Sequence, residues 1–128
     1  MTPHLQYAQA IPGINTGRGI GLIESRGLTR VIDAIGLLET STAWNPADDR
    51  ALRDWFGRFL TWMRESENGR DESGSKNNHG TYYDVQVTSF ALFLDRMDIA
   101  NDALNTVREK RIAVQIEPDG RQPLELGL

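Results

Sequence analysis

Asn77, Asn78 and His79 stand in a row within the stretch GSKNNHGTYYDVQ, where a polar loop gives way to an apolar run. An imidazole titrates near neutral pH, so a neutral His79 can take a proton from carbon. A carboxamide donates hydrogen bonds to a carboxylate as negative charge builds on it, and a helix N-terminus points free N–H groups at the same anion. Asn78, His79 and the turn after them therefore suit abstraction of a proton alpha to a carboxylate, through an enolate-like intermediate. Each residue also has a plainer use. A histidine at a helix start most often caps the helix or lies on the surface, and neighbouring asparagines most often shape turns, because their side chains mimic the backbone.

Other chemistry is easier to set aside. Tyr82 and Tyr83 follow at the start of the same helix, where packing is the commoner role. Trp55 and Trp62 lie at helical spacing and read as core or groove wall, core being the better fit. GRGIG, residues 17–21, matches neither dinucleotide-binding nor P-loop spacing, and no convincing strand precedes it. The chain has no cysteine, and its two histidines are far apart, so a thiolate nucleophile, a disulfide framework and a zinc site are all excluded or unsupported. A net charge of −4, with Glu24 and Asp33 lying among Arg18, Arg26 and Arg30, argues against phosphate-backbone binding.

The elements that must position these groups are helical. Residues 1–23 hold Pro3, Pro12 and glycines at 13, 17, 19 and 21, which predicts an ordered loop rather than a regular helix. From Ser25, the residues Leu28, Val31, Ile32, Ile35 and Leu38 recur at the spacing of one buried helix face. Asn45 is placed to cap a second helix, with Pro46 at its first position and Asp48 and Asp49 at the positive end of its dipole. Leu52, Trp55, Phe56, Phe59, Leu60 and Met63 give that helix a wide apolar stripe. ESENGRDESGSKNN reads as a solvated loop. A third helix spans about His79 or Gly80 to Leu94 and has little polar surface near its end. A fourth runs from Met97 to Lys110 with Ile99, Ala103, Leu104 and Val107 inward, and Pro118-Asp119-Gly120 then marks a turn.

With 39% hydrophobic and 25% charged residues in 128, the composition fits one soluble globular domain over residues 1–128. MTPHLQYAQA lacks the apolar core of a signal peptide, and no run reaches membrane-span length. That reading makes the chain cytoplasmic, or else part of something longer.

KNNHGTYYDVQVTSFALFLDRMDIA resembles the central NNHGTWYD motif of the alginate lyase family of polysaccharide lyases. YAQAIPGINTGRGIGLIES and QIEPDGRQPLEL are similar to two further family blocks, in the same order. The resemblance implies an all-α fold, a partial (α/α) toroid built of helical hairpins around a cleft. It implies β-elimination on an acidic polysaccharide, alginate or a related uronate polymer of poly-mannuronate type, with neither metal nor organic cofactor. Asn78 then neutralises the uronate carboxylate, and His79 is base or co-neutraliser. Gln9, Arg18 and Tyr83 match substrate-binding positions, Arg18 aptly, since guanidinium pairs bidentately with carboxylate. A periplasmic or secreted location follows for the full-length parent, with no nucleic-acid or membrane partner.

Two departures qualify the likeness. Tyr82 stands where the family has tryptophan. After PLEL the family continues with an arginine and then a tyrosine, but here Leu128 takes the arginine's position and the sequence stops. The expectation is an incomplete toroid, with weak or absent turnover by this chain alone. The alternative is a non-catalytic helical module that binds acidic glycan or a protein partner.

Overall fold

The computed structural model describes residues 3–126, so Leu128 lies outside the described residues. Every regular element among them is helical, and one isolated antiparallel bridge joins Ile11 to Asn15. The helices are α1 (Leu28–Leu38), α2 (Pro46–Glu65), α3 (Glu67–Gly74), α4 (Asn78–Phe93), α5 (Met97–Thr106) and α6 (Ala113–Gln115). A 3₁₀ segment, Gly19–Gly27, leads directly into α1, and a π stretch, Val107–Ile112, joins α5 to α6. No helix among the described residues is long and apolar enough to cross a membrane.

The 3₁₀ segment corrects the loop expected through residue 23. Its glycines serve close approach rather than disorder. A Cβ at Gly21 would lie 2.6 Å from the Ala8 carbonyl oxygen, and one at Gly19 would strike the Asp71 side chain of α3. Nine residues of 3₁₀ geometry exceed the usual single turn, and contacts with the N-terminal arm and α3 are what hold them.

α2 begins as its sequence dictates. Asn45 is extended, its side chain accepts the Ala47 N–H at 2.8 Å, and Pro46 opens the helix. Its stripe buries Phe56, Phe59, Leu60 and Met63, with Leu52 and Trp55 half-covered against them. Phe56 and Phe59 meet Phe90 of α4 at ring separations of 5.3 and 5.8 Å. Full burial of side chains this size stabilises by about 1.5–3 kcal/mol each, which makes the α2–α4 contact the main apolar joint.

α4 is the hub, since α1, α2, α3, α5 and the 3₁₀ segment all pack on it. Val87, Phe90 and Ala91 are buried, whereas Val85 and Leu92 remain 44% and 48% exposed. The stripe expected on α1 is likewise only partly covered. Ile35 is buried, but Val31 and Leu38 are exposed. α4 closes with Asp95 in the left-handed region at φ 58, while the Arg96 N–H donates to the Ala91 carbonyl at 2.8 Å. That six-to-one bond turns the chain tightly into α5.

Two sequence expectations change. The stretch read as a solvated loop contains α3, started by Ser66, whose hydroxyl oxygen accepts the Gly69 N–H at 3.0 Å. The last long helix does not stop at Lys110, because the π stretch carries it on to Gln115. Leu104 of that helix, expected inward, is half exposed.

Tyr83, expected to touch substrate, is a core residue. It is 7% exposed, and its hydroxyl donates to the Met63 carbonyl at 3.1 Å, satisfying an orphan acceptor in the last turn of α2. Burial pushes its pKa up from 10.0 to about 12. The folded state thus holds this proton more tightly than the unfolded chain. Its stabilisation is complete below the phenol's ordinary value and is lost as pH rises from there toward the folded one. Tyr83→Phe should cost about 0.5–1.5 kcal/mol at neutral pH. In urea titrations the gap from wild type should close as pH climbs toward 12; a gap that stays constant would contradict this role.

Candidate active site

The turn between α3 and α4 is built by asparagines. Asn77 is extended, at φ −125, and its side chain accepts the His79 N–H at 3.1 Å, so Asn77 rather than His79 caps α4. Asn78 is therefore the first residue of the helix and is exposed, and His79 is the second. Both lie where the unpaired N–H groups of the first turn face outward.

The decisive partner of His79 comes from α3. Its Nδ1 lies 3.1 and 3.2 Å from the two carboxylate oxygens of Glu72, a side chain with no solvent exposure. With Glu72 ionised its carboxylate can only accept, so Nδ1 carries the proton, and in a neutral ring Nε2 then holds the lone pair. Nε2 has no hydrogen-bond partner among the described residues, and the ring keeps 18% exposure. Burial pushes the Glu72 pKa up, opposed by His79 and by the Ile23 backbone N–H. Glu72 escapes sequence reading because α3 carries no apolar residue to announce a helix. The cues present were the Ser66 cap and Gly69, where a Cβ would collide with the Met63 carbonyl oxygen.

Arg111 holds this turn in place. Its Nε donates to Asp84 at 2.7 Å, Nη1 to the Ser75 carbonyl at 2.8 Å, and Nη2 to the Ser73 carbonyl at 2.9 Å. One guanidinium thereby satisfies carbonyls at the end of α3 and fastens them to α4. The glycine after His79 makes room for it. A Cβ at Gly80 would lie 2.6 Å from Arg111 Nη1 and would overlap the Ser75 carbonyl oxygen.

The N-terminal arm brings together the other expected pair. Gln9 adopts a left-handed φ of 56, unusual for a residue with a side chain, and its Oε1 accepts from Arg18 Nη2 at 2.8 Å. The arm folds back on itself, with the Arg18 N–H donating to the Ala8 carbonyl at 3.1 Å. No hydrogen bond joins Gln9 or Arg18 to Asn78 or His79 among the described residues. Gly19, next to Arg18, abuts Asp71, and Asp71 precedes the Glu72 that holds His79. Tyr83 stands apart from both pairs, in the core.

Comparison with known proteins agrees with this arrangement of helices. The family model described as alginate lyase matches residues 1–127. Among solved structures, an alginate lyase from Bacteroides ovatus matches with a TM-score of 0.92 and 44% sequence identity, covering 97% of this chain and 33% of that one. The chain thus spans about a third of the length of that structure. A search of curated proteins finds no match. The fold is all-α, a partial (α/α) toroid built of helical hairpins.

The buried carboxylate makes a testable mark on stability. The folded pKa of Glu72 is raised, so the native state binds this proton more tightly than the unfolded chain does. Its contribution is fully present below the ordinary glutamate value of 4.5 and declines as pH rises through the folded value. Buried Asp84 is raised too, so the comparison must be against Glu72→Gln rather than wild type alone. The stability of Glu72→Gln relative to wild type should improve as pH rises above 4.5. Unfolding midpoints across that range give the difference, and a flat difference curve would mean that Glu72 is not a buried titrating group.

Proposed function

The chain belongs to the alginate lyase family, and from that premise we propose that it carries part of the machinery of a polysaccharide lyase acting on a uronate polymer of poly-mannuronate type. The observation that supports the reading is the Glu72–His79 pair. A carboxylate that receives Nδ1–H leaves Nε2 as a base beside an exposed carboxamide at a helix start.

In the proposed reaction the uronate carboxylate lies against Asn78 and the first turn of α4. As charge moves onto the carboxylate, the Asn78 amide and the free N–H groups stabilise it. His79 Nε2 takes the C5 proton, the C4–C5 double bond forms, and the C4–O glycosidic bond breaks with its electron pair leaving on oxygen, which takes a proton from water. The imidazolium of His79 then gives the C5 proton up to solvent, which completes the cycle. Gln9 and Arg18 bind a neighbouring part of the polymer, Arg18 through its remaining guanidinium N–H groups. By the same kinship the whole protein works in the periplasm or after secretion.

The measurement is ultraviolet absorbance of unsaturated uronate from purified protein incubated with polymannuronate, polyguluronate or a glucuronate polymer. His79→Ala should lower the rate about 10²–10⁴-fold, the usual weight of a general base. Asn78→Ala should lower it about 10²–10³-fold, as for loss of one oxyanion donor. Measurable wild-type turnover that persists undiminished in His79→Ala would refute the assignment. Binding of the polymer by wild type without product would favour a glycan-binding module instead.

A further inference from the structure

A recess lies against the turn that carries Asn78 and His79. Its volume is about 740 Å³, within the range of small-molecule sites. Arg70, Lys76 and Lys110 line it from α3, the α3–α4 link and the π stretch. None of the three forms an ion pair among the described residues. The other charges on its wall are already matched, Arg111 by Asp84 at 2.7 Å and Glu117 by Arg121 at 2.9 Å. Arg70 turns its guanidinium to the Glu65 carbonyl, which leaves Lys76 and Lys110 as cations on the wall with neither an ion pair nor a side-chain hydrogen bond among the described residues, over a partly apolar lining that includes Val114 and Leu124.

An independent feature points to the same place. Gln115 lines the recess and is 7% exposed. Its Oε1 accepts from the Thr81 hydroxyl, yet its Nε2 is buried with no hydrogen-bond partner. A buried donor left unpaired is costly, and such groups in native proteins call for an explanation. Its nitrogen is closed to solvent as it stands, and a rotation of the side chain into the recess would let an anionic oxygen bound there supply the missing acceptor.

We propose that this recess binds a uronate residue of an acidic polysaccharide, its carboxylate held by Lys76 and Lys110 and by the Gln115 amide, with the apolar floor under the sugar ring. The substrate class rests on the function proposed above, but the charges and the orphan donor do not. Lys76 precedes Asn78 by two residues, and Arg111, on the recess wall, bonds the Ser75 carbonyl and packs on Gly80. A strand lying in the recess thus runs onto the segment bearing the proposed reactive residues. The recess is an accessory subsite that registers a longer polymer.

The test is calorimetric titration of the full chain with an oligomannuronate of defined length. A His79→Ala background is used throughout so that the ligand is not consumed. Lys76→Ala/Lys110→Ala should weaken binding by about tenfold or more, the weight of charge-assisted hydrogen bonds. Arg30→Ala/Arg50→Ala, which removes the same charge from α1 and α2, should leave it unchanged. The carboxyl-reduced oligomer should bind no better to the lysine-bearing chain than to the double variant. Equal oligomannuronate affinity with and without the two lysines overturns the proposal. So does inorganic phosphate displacing the oligomer at comparable concentration, which marks a general anion site. Turnover is read separately in the His79-bearing protein. If no unsaturated product forms while lysine-dependent binding persists, the glycan-binding alternative is favoured and the subsite stands.

Discussion

Arg111 bonds one carboxylate and two backbone carbonyls, and the geometry of the α3–α4 turn depends on that single guanidinium. The pair it makes with Asp84 is almost wholly buried, at 8% and 4% side-chain exposure. A buried pair of this kind adds little net stability over a well-packed apolar alternative, because both charges give up their water. Losing one partner is another matter, costing about 3–5 kcal/mol for the charge left behind. Its value here is positional. The two carbonyls lie at the C-terminal end of α3, the carboxylate is on α4, and Glu72 and His79 face each other across that junction.

The dyad beside it follows the same logic on a smaller scale. A glutamate without solvent exposure is expensive unless its oxygens are engaged, and Glu72 has His79 and the Ile23 N–H. In return the imidazole ring has one orientation and one tautomer. Gln9 shows a related trade. A left-handed backbone costs a residue with a side chain about 1–2 kcal/mol, and it persists because the surrounding arm is tied by its own bonds. Its carboxamide is thereby aimed at Arg18.

How much of this could be read from the residues depends on whether the cause was local. The start of α2 was legible because cap, proline and acidic first turn are neighbours in sequence. The start of α4, expected at His79 or Gly80, was legible to within one or two residues from the change of a polar loop to an apolar run, although the cap, Asn77, was not assigned. α3 was not, since its eight residues are held by a buried carboxylate and a close glycine contact rather than by an apolar face. The π stretch was hidden as well, because VREKRI is polar and its widened turn goes with partners far away in sequence. Tyr83 is an instructive middle case. It shares a helix face with Val87 and Phe90, four and seven residues on, and that spacing marks it as core. The family motif drew attention to its chemistry, and the helix periodicity described its place.

The π stretch also sets how this helix tolerates changes in length. A residue inserted in an α-helix rotates everything beyond it by about 100°. Val107–Ile112 absorbs such a residue as a bulge. Removing one residue there would restore ordinary helical pitch and leave the helix continuous, with its helical content hardly changed. Yet Arg111 and Gln115 would swing to another face, away from Asp84, Ser73, Ser75 and Thr81. Here the spacing of residues matters as much as their identity, and a single-codon deletion would be more damaging than most substitutions in the same six positions.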